Sequence, residues 1–213
     1  MKKSNNIAVR YFKKGCLNAL INLILGKSVS DNQFDEFRNK ILSNLVENVS
    51  TLKMDIDTTD LISKSVLITG PRISKRGDVL LEYKKGKDRI IRYNPINVAI
   101  LHFTKEQVLA YLCSYDLCHE QVTMLSTEEY FYKDIIGAST ETTETIFVDN
   151  QNKSHKLTAS ESFKIKTSGG TGIEVFLTDP HLVEIWGKGI IPTDFIENAI
   201  TQIRTIIRAK KSS

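Results

Sequence analysis

Four prolines, three cysteines and one tryptophan in 213 residues leave this chain little punctuation and no covalent framework. Cys16, Cys113 and Cys118 are odd in number and unevenly spaced, which excludes a disulfide scaffold and fits a reducing cytoplasm. No apolar run approaches the ~18–20 residues that a membrane-spanning helix needs. Neither sign of charge dominates: 29 basic against 25 acidic residues leave a formal net charge of +4. What is present is ordinary for a globular protein, with 41% hydrophobic and 25% charged residues, so collagen-like and largely disordered chains are excluded. A chain of this length buries roughly 70% of its unfolded surface and needs no staples.

The first segment reads as a helical hairpin over residues 1–62. Lys2, Lys3, Arg10, Lys13 and Lys14 precede Cys16–Leu25, a stretch with the length of a secretory h-region. Asn18 and Asn22 interrupt it, and no small-x-small cleavage site follows. Ile7, Tyr11, Leu17, Leu20, Ile21, Ile24 and Leu25 share one helical face instead, predicting an amphipathic helix packed on the rest of the protein and ended near Gly26. Ser30 and Gln33 form a capping box for a second helix, in which Phe34, Phe37, Ile41, Leu45, Val49 and Leu52 recur at helical spacing.

Residues 63–213 read as one β-rich domain closed by a helix. Val79–Lys84 and Arg89–Tyr93 flank Lys85–Asp88, a hairpin turn with a positive φ expected at Gly86. Val98–Phe103, Gln107–Tyr115, Glu129–Ile136, Thr143–Val148, Phe163–Thr167 and Ile173–Leu177 continue the strands, with Ser168–Gly172 as a tight or bulged turn. This spacing suits an antiparallel sandwich or barrel of about seven strands. Asp194 and Glu197 then open a final helix with the apolar stripe Ile196, Ala199, Ile200, Ile203 and Ile207. Basic Arg204, Arg208, Lys210 and Lys211 complement its C-terminal dipole.

Charge comes in blocks. Residues 1–14 carry net +5, 31–60 net −4, 72–92 net +5 and 120–149 net −6. Alternating blocks of this kind suit pairing within or between chains, or segregated solvated faces, and not generic polyanion binding.

The order of helical hairpin, antiparallel strands and closing helix resembles the pleckstrin-homology-like fold, in particular its bacterial versions. The likeness is carried by Arg89–Phe103, by Glu128–Ser139 and by Phe163–Leu177 with Ile196–Ile207, and covers roughly residues 65–210. The single Trp186 precedes the closing helix, whereas the eukaryotic domains carry a tryptophan inside it. The resemblance implies a non-enzymatic, cytoplasmic binding or assembly module and no cofactor. Its partner is a protein or a second copy. An anionic membrane surface is the second choice, because phosphoinositide-binding members carry a basic first hairpin, here Lys84, Lys85, Lys87 and Arg89, with Arg92 further along the strand.

Enzyme readings find less footing. Asp78, Glu82 and Lys84 superficially resemble a metal-dependent nuclease signature, but four residues along one strand separate the two acids by ~13 Å. This is the alternative from another class. Cys113 and Cys118-His119 lack a second ligand pair for zinc, and Cys113 reads as a small core residue. Ser168–Gly172 lacks the Lys-Ser/Thr and following helix of a phosphate loop. No nucleic-acid motif appears, and Tyr83 with Tyr93 do not form a stacking platform.

Overall fold

The computed structural model describes residues 6–12, 29–73, 79–149, 153–192 and 194–212. The expected helix over Cys16–Leu25 and its end at Gly26 lie outside them, as does Asp78.

Helix α1 spans Ile7–Phe12 and α2 spans Asp31–Asn44. The Ser30 side chain accepts the Gln33 amide while Gln33 reaches back to the Ser30 amide, so the capping box starts α2 as read. A π-helical turn, Leu45–Val49, follows before α3, Ser50–Lys53. The wider turn shifts the phase of the stripe. Phe34 and Leu45 are buried as expected, but Leu52 is 84% exposed and Ser50 points inward in its place.

Nine strands follow among the described residues: β1 (Val66–Pro71), β2 (Glu82–Lys85), β3 (Ile91–Asn94), β4 (Ile96–Phe103), β5 (Gln107–Asp116), β6 (Gln121–Phe131), β7 (Ile135–Val148), β8 (Ser154–Thr167) and β9 (Gly172–Thr178). All ladders are antiparallel, in a sheet ordered β1-β4-β5-β6, a sheet β7-β8-β9 and the ribbon β2-β3. None closes into a barrel, which corrects the barrel option. The expected strand Glu129–Ile136 is instead broken at the 3₁₀ turn Tyr132–Asp134, and β6 begins at Gln121. Helix α4 (Pro180–Ile185), which the spacing did not suggest, is capped by the buried Asp179 carboxylate. Helix α5 (Asp194–Lys211) closes the chain.

The β1-β4-β5-β6 sheet is the middle layer. Ile96, Val98 and Ile100 of β4 with Tyr111 and Cys113 of β5 face the helices, sharing a core with Tyr11, Phe34, Leu45 and Trp186. Helices α1 and α2 and the π-helical turn therefore contribute to the same core as β2–β5. On the other face, Ala99, Leu101, Phe103, Val108 and Ala110 meet β8, β9 and the α5 stripe Ile196, Ala199, Ile200, Ile203 and Ile207, all buried as read. A strand covered on both faces reads as a continuous apolar run, as β4 does. The two larger sheets touch at β1 and β9. A Cβ on Gly70 would lie 1.9 Å from the Phe176 carbonyl oxygen, so that approach requires glycine. At the opposite side, β6 has no strand beyond it among the described residues.

Candidate interaction surfaces

The basic hairpin is the first candidate, and its turn is built around Arg92. Arg92 sends Nε and Nη2 to the Asp35 carboxylate at 2.8 and 2.6 Å, and Nη1 and Nη2 to Asp88 at 3.0 and 2.7 Å. Its side chain is 3% exposed. Burial works against the charge, but the two carboxylates outweigh it and hold the guanidinium protonated, while Arg92 brings the Asp88 pKa down to about 2. Gly86 makes room for this cluster: a Cβ there would fall 2.4 Å from Arg92 Nη1, 2.5 Å from Asp88 Oδ1 and 2.8 Å from Asp31 Oδ2. The positive φ expected at Gly86 occurs instead at Arg89, at 67°. Glycine is used here for space.

The neighbouring bases face the same way. Lys84 donates to the Tyr11 carbonyl at 3.0 Å, with its ammonium 4.0 Å from the Tyr11 ring centroid. Lys85 reaches the Gly187 carbonyl. The Lys87 amide and the Tyr11 hydroxyl both donate to Asp31, at 2.8 and 2.7 Å. The basic 72–92 block and the acidic 31–60 block therefore meet through Asp31 and Asp35, and the hairpin holds α1 and α2 against the domain. Of the five candidate residues Lys84, Lys85, Lys87, Arg89 and Arg92, three spend their side chains on internal contacts. Lys85 stays exposed while making its contact, and Lys87 and Arg89 are exposed as well.

Of the nuclease trio, Asp78 lies outside the described residues, and Glu82 and Lys84 are each engaged elsewhere. Glu82 accepts from the Cys118 thiol at 3.1 Å and from Asn94 at 3.4 Å, and Lys84 is turned to α1. Burial and the Glu82 carboxylate both raise the Cys118 pKa, so this thiol stays protonated and weakly nucleophilic. Burial likewise pushes the Cys113 thiol up to about 11. His102 is fully buried between two hydroxyls, Nε2 at 2.8 Å from Ser50 Oγ and Nδ1 at 2.7 Å from Ser65 Oγ. The Ser50 hydroxyl donates to the Val46 carbonyl, so it accepts from Nε2, and Ser65 donates to Nδ1. Among the described residues no carboxylate orients this imidazole, and burial lowers its pKa. The group pins α3 to β4. Among the described residues no three His, Cys, Asp or Glu side chains gather as metal ligands.

A surface that the sequence reading missed is β6. Among the described residues it pairs only with β5, and ten of its eleven residues are exposed or half-exposed. Met124 is 58% and Leu125 46% exposed, with Val122 and Phe131 also out in solvent. Register places Leu125, Thr127 and Glu129 opposite Cys113, Tyr111 and Leu109, hence on the helix side. Met124, Ser126 and Glu128 lie on the other side. Natural edge strands are blunted by lysine, proline or a cover. β6 has neither residue, and its charges sit at one end.

At that end a cleft of about 610 Å³ opens between the loop after α3, the β4–β5 turn and the tail of β6. Asp55, Asp57, Asp60, Glu106 and Glu129 line it against the single cation Lys105, with Leu109 and Phe131 as apolar wall. Asp57 also caps a 3₁₀ turn through Thr59, which keeps its carboxyl below the usual range. The other four carboxylates form no ion pair among the described residues. Among the described residues no helix is long and apolar enough to cross a membrane. Set against known protein families, curated proteins and solved structures, the chain matches none of them.

Proposed function

We propose that this chain is a non-enzymatic binding and assembly module that recognises a protein partner through the outer edge of β6. The observation that carries the reading is an eleven-residue edge strand with apolar side chains exposed on both faces. An edge of that length offers a row of N–H and C=O groups to an incoming strand, and alternate side chains supply the selectivity. Burial keeps the Cys113 and Cys118 thiols protonated, so neither is proposed as a nucleophile. Free Cys113 and Cys118 support a reducing, cytoplasmic setting. The pleckstrin-homology-like resemblance belongs to the same proposal: α5 lies across β1 and β7 as a closing helix of that fold would.

The anionic-membrane reading keeps the exposed Lys85, Lys87 and Arg89 in its support, because Lys84 and Arg92 are turned inward to hold the N-terminal helices. Three surface cations contribute on the order of 1 kcal/mol each, too little for stable docking alone.

The test is size-exclusion chromatography of host extract containing the tagged full chain. The parent is expected in a complex well above its own 24.1 kDa, and the double variant Met124→Lys, Leu125→Lys at monomer size with unchanged thermal unfolding. Elution of both in the same complex, or of the parent as a monomer, contradicts the reading.

A further inference from the structure

On the footing that β6 is the interaction edge, the geometry points to its occupant: an extended basic segment of a partner protein, added as a strand beside β6, with two adjacent cations next to two adjacent apolar residues two positions away. The carboxylates alone would not define a site. The strand edge does, because it dictates where each side chain of an added strand must fall.

Residues on a strand alternate faces and rise about 3.4 Å each. Leu125 and Glu129 share the helix side of β6, while Met124 and Glu128 share the other side. In both pairs the apolar residue and the acid stand four positions apart, about 13–14 Å. An added strand places one residue opposite each of these. Its complement is therefore an apolar pair facing Met124 and Leu125, a two-residue gap, and a basic pair facing Glu128 and Glu129. The cation on the helix side enters the cleft, where Asp55, Asp60 and Glu106 are without ion-pair partners among the described residues. The Phe131 ring on the cleft wall already carries the Lys133 ammonium 5.6 Å from its centroid, so its face accepts a cation. Leu109 offers apolar surface to the methylene stem of a lysine or arginine.

A second copy of the chain fits less well. Pairing β6 with its own image brings two 120–149 stretches side by side, each of net charge −6. Like charge in that amount favours a basic partner over self-association.

The experiment uses the full chain and two fluorescein-labelled peptides, one containing Lys-Arg-Thr-Thr-Val-Ile and one the reverse order Ile-Val-Thr-Thr-Arg-Lys, which cover both strand directions. Fluorescence anisotropy is expected to show saturable binding of one of them, weakening with salt. Amide exchange of residues 122–129 is expected to slow in the complex. Glu129→Lys with Asp60→Lys, and separately Leu125→Lys, each weaken binding about tenfold or more. Lys87→Glu leaves it unchanged. The proposal is overturned if neither peptide binds, if the variants bind like the parent, or if the free chain is a dimer that Leu125→Lys dissociates. Loss of the host complex in the β6 double variant without peptide binding would leave the interaction edge standing and remove the basic segment. A host complex indifferent to β6 substitution would remove the edge itself.

Discussion

Arg92 of β3 and Asp35 of α2, 57 positions apart, meet in a two-pronged ion pair of 2.8 and 2.6 Å whose arginine end is buried. Asp88 closes the guanidinium from the other side. Removing one member of a buried pair leaves the others poorly solvated, at a cost of about 3–5 kcal/mol when the remaining charge is buried. Here the carboxylates are 38% and 39% exposed, which lowers the cost. Arg92→Leu is expected to lose about 2–3 kcal/mol in urea unfolding. A variant unfolding at the parent's midpoint would show that the hairpin does not hold α2.

The same geometry separates the lysines of the hairpin. Lys84→Glu removes the Tyr11 contacts and sets an acid near Asp31, so it is expected to lower the melting temperature by several degrees, from a loss of about 1–2 kcal/mol. Lys87→Glu with Arg89→Glu alters exposed tips and is expected to stay within ~0.5 kcal/mol of the parent. Equal melting temperatures for all three would contradict the internal role of Lys84. The same exposed pair tests the membrane reading: little sedimentation with anionic vesicles is expected from the parent at moderate salt. Strong sedimentation lost in Lys87→Glu, Arg89→Glu would place the lipid contact at this tip.

His102 makes stability depend on pH. Burial lowers its pKa from the ordinary 6.5, so the unfolded chain takes the proton more readily than the folded one. Stability therefore rises with pH between the lowered folded value and about 6.5, and acid erodes it through that window. His119 has the opposite tendency, because Asp116 raises its pKa: its contribution is present at low pH and lost as pH rises through the raised folded value. The two are separated by comparing urea midpoints at pH 7.5 and 5 for the parent and His102→Asn. The variant is expected to lose less stability on acidification. An equal loss in both proteins would assign the dependence elsewhere.

Ile203 is fully buried where α5 crosses β1 and β7. Ile203→Asp buries an unpaired carboxylate and is expected to cost at least ~3 kcal/mol in thermal unfolding. A shift of only a degree or two would mean that α5 does not pack there.

Local signals in the sequence were the readable ones. The Ser30 and Gln33 box and the Ile196–Ile207 stripe lie within one or a few helical turns, and both elements form as their spacing implies. Leu52 departs because the π-helical turn, invisible in periodicity, rotates the last turn of the stripe. The charge blocks were legible, but not which residues pair, because Arg92 finds Asp35 only through the tertiary fold. β6 escaped for a related reason. Exposed on both faces over Gln121–Thr127, it has no buried side to impose alternation, so only its pairing with β5 reveals it.

Site-specific photo-cross-linking in the host tests the β6 interaction edge most directly, with the reactive residue placed in turn at Met124, Leu125, Lys87 and Thr201. Met124 and Leu125 are expected to give the same discrete protein adduct, abolished when the neighbouring Glu128 and Glu129 are both changed to Lys, while Thr201 on the exposed side of α5 gives none. An adduct from Lys87 alone, or an identical adduct from Thr201 and Met124, would contradict recognition through β6.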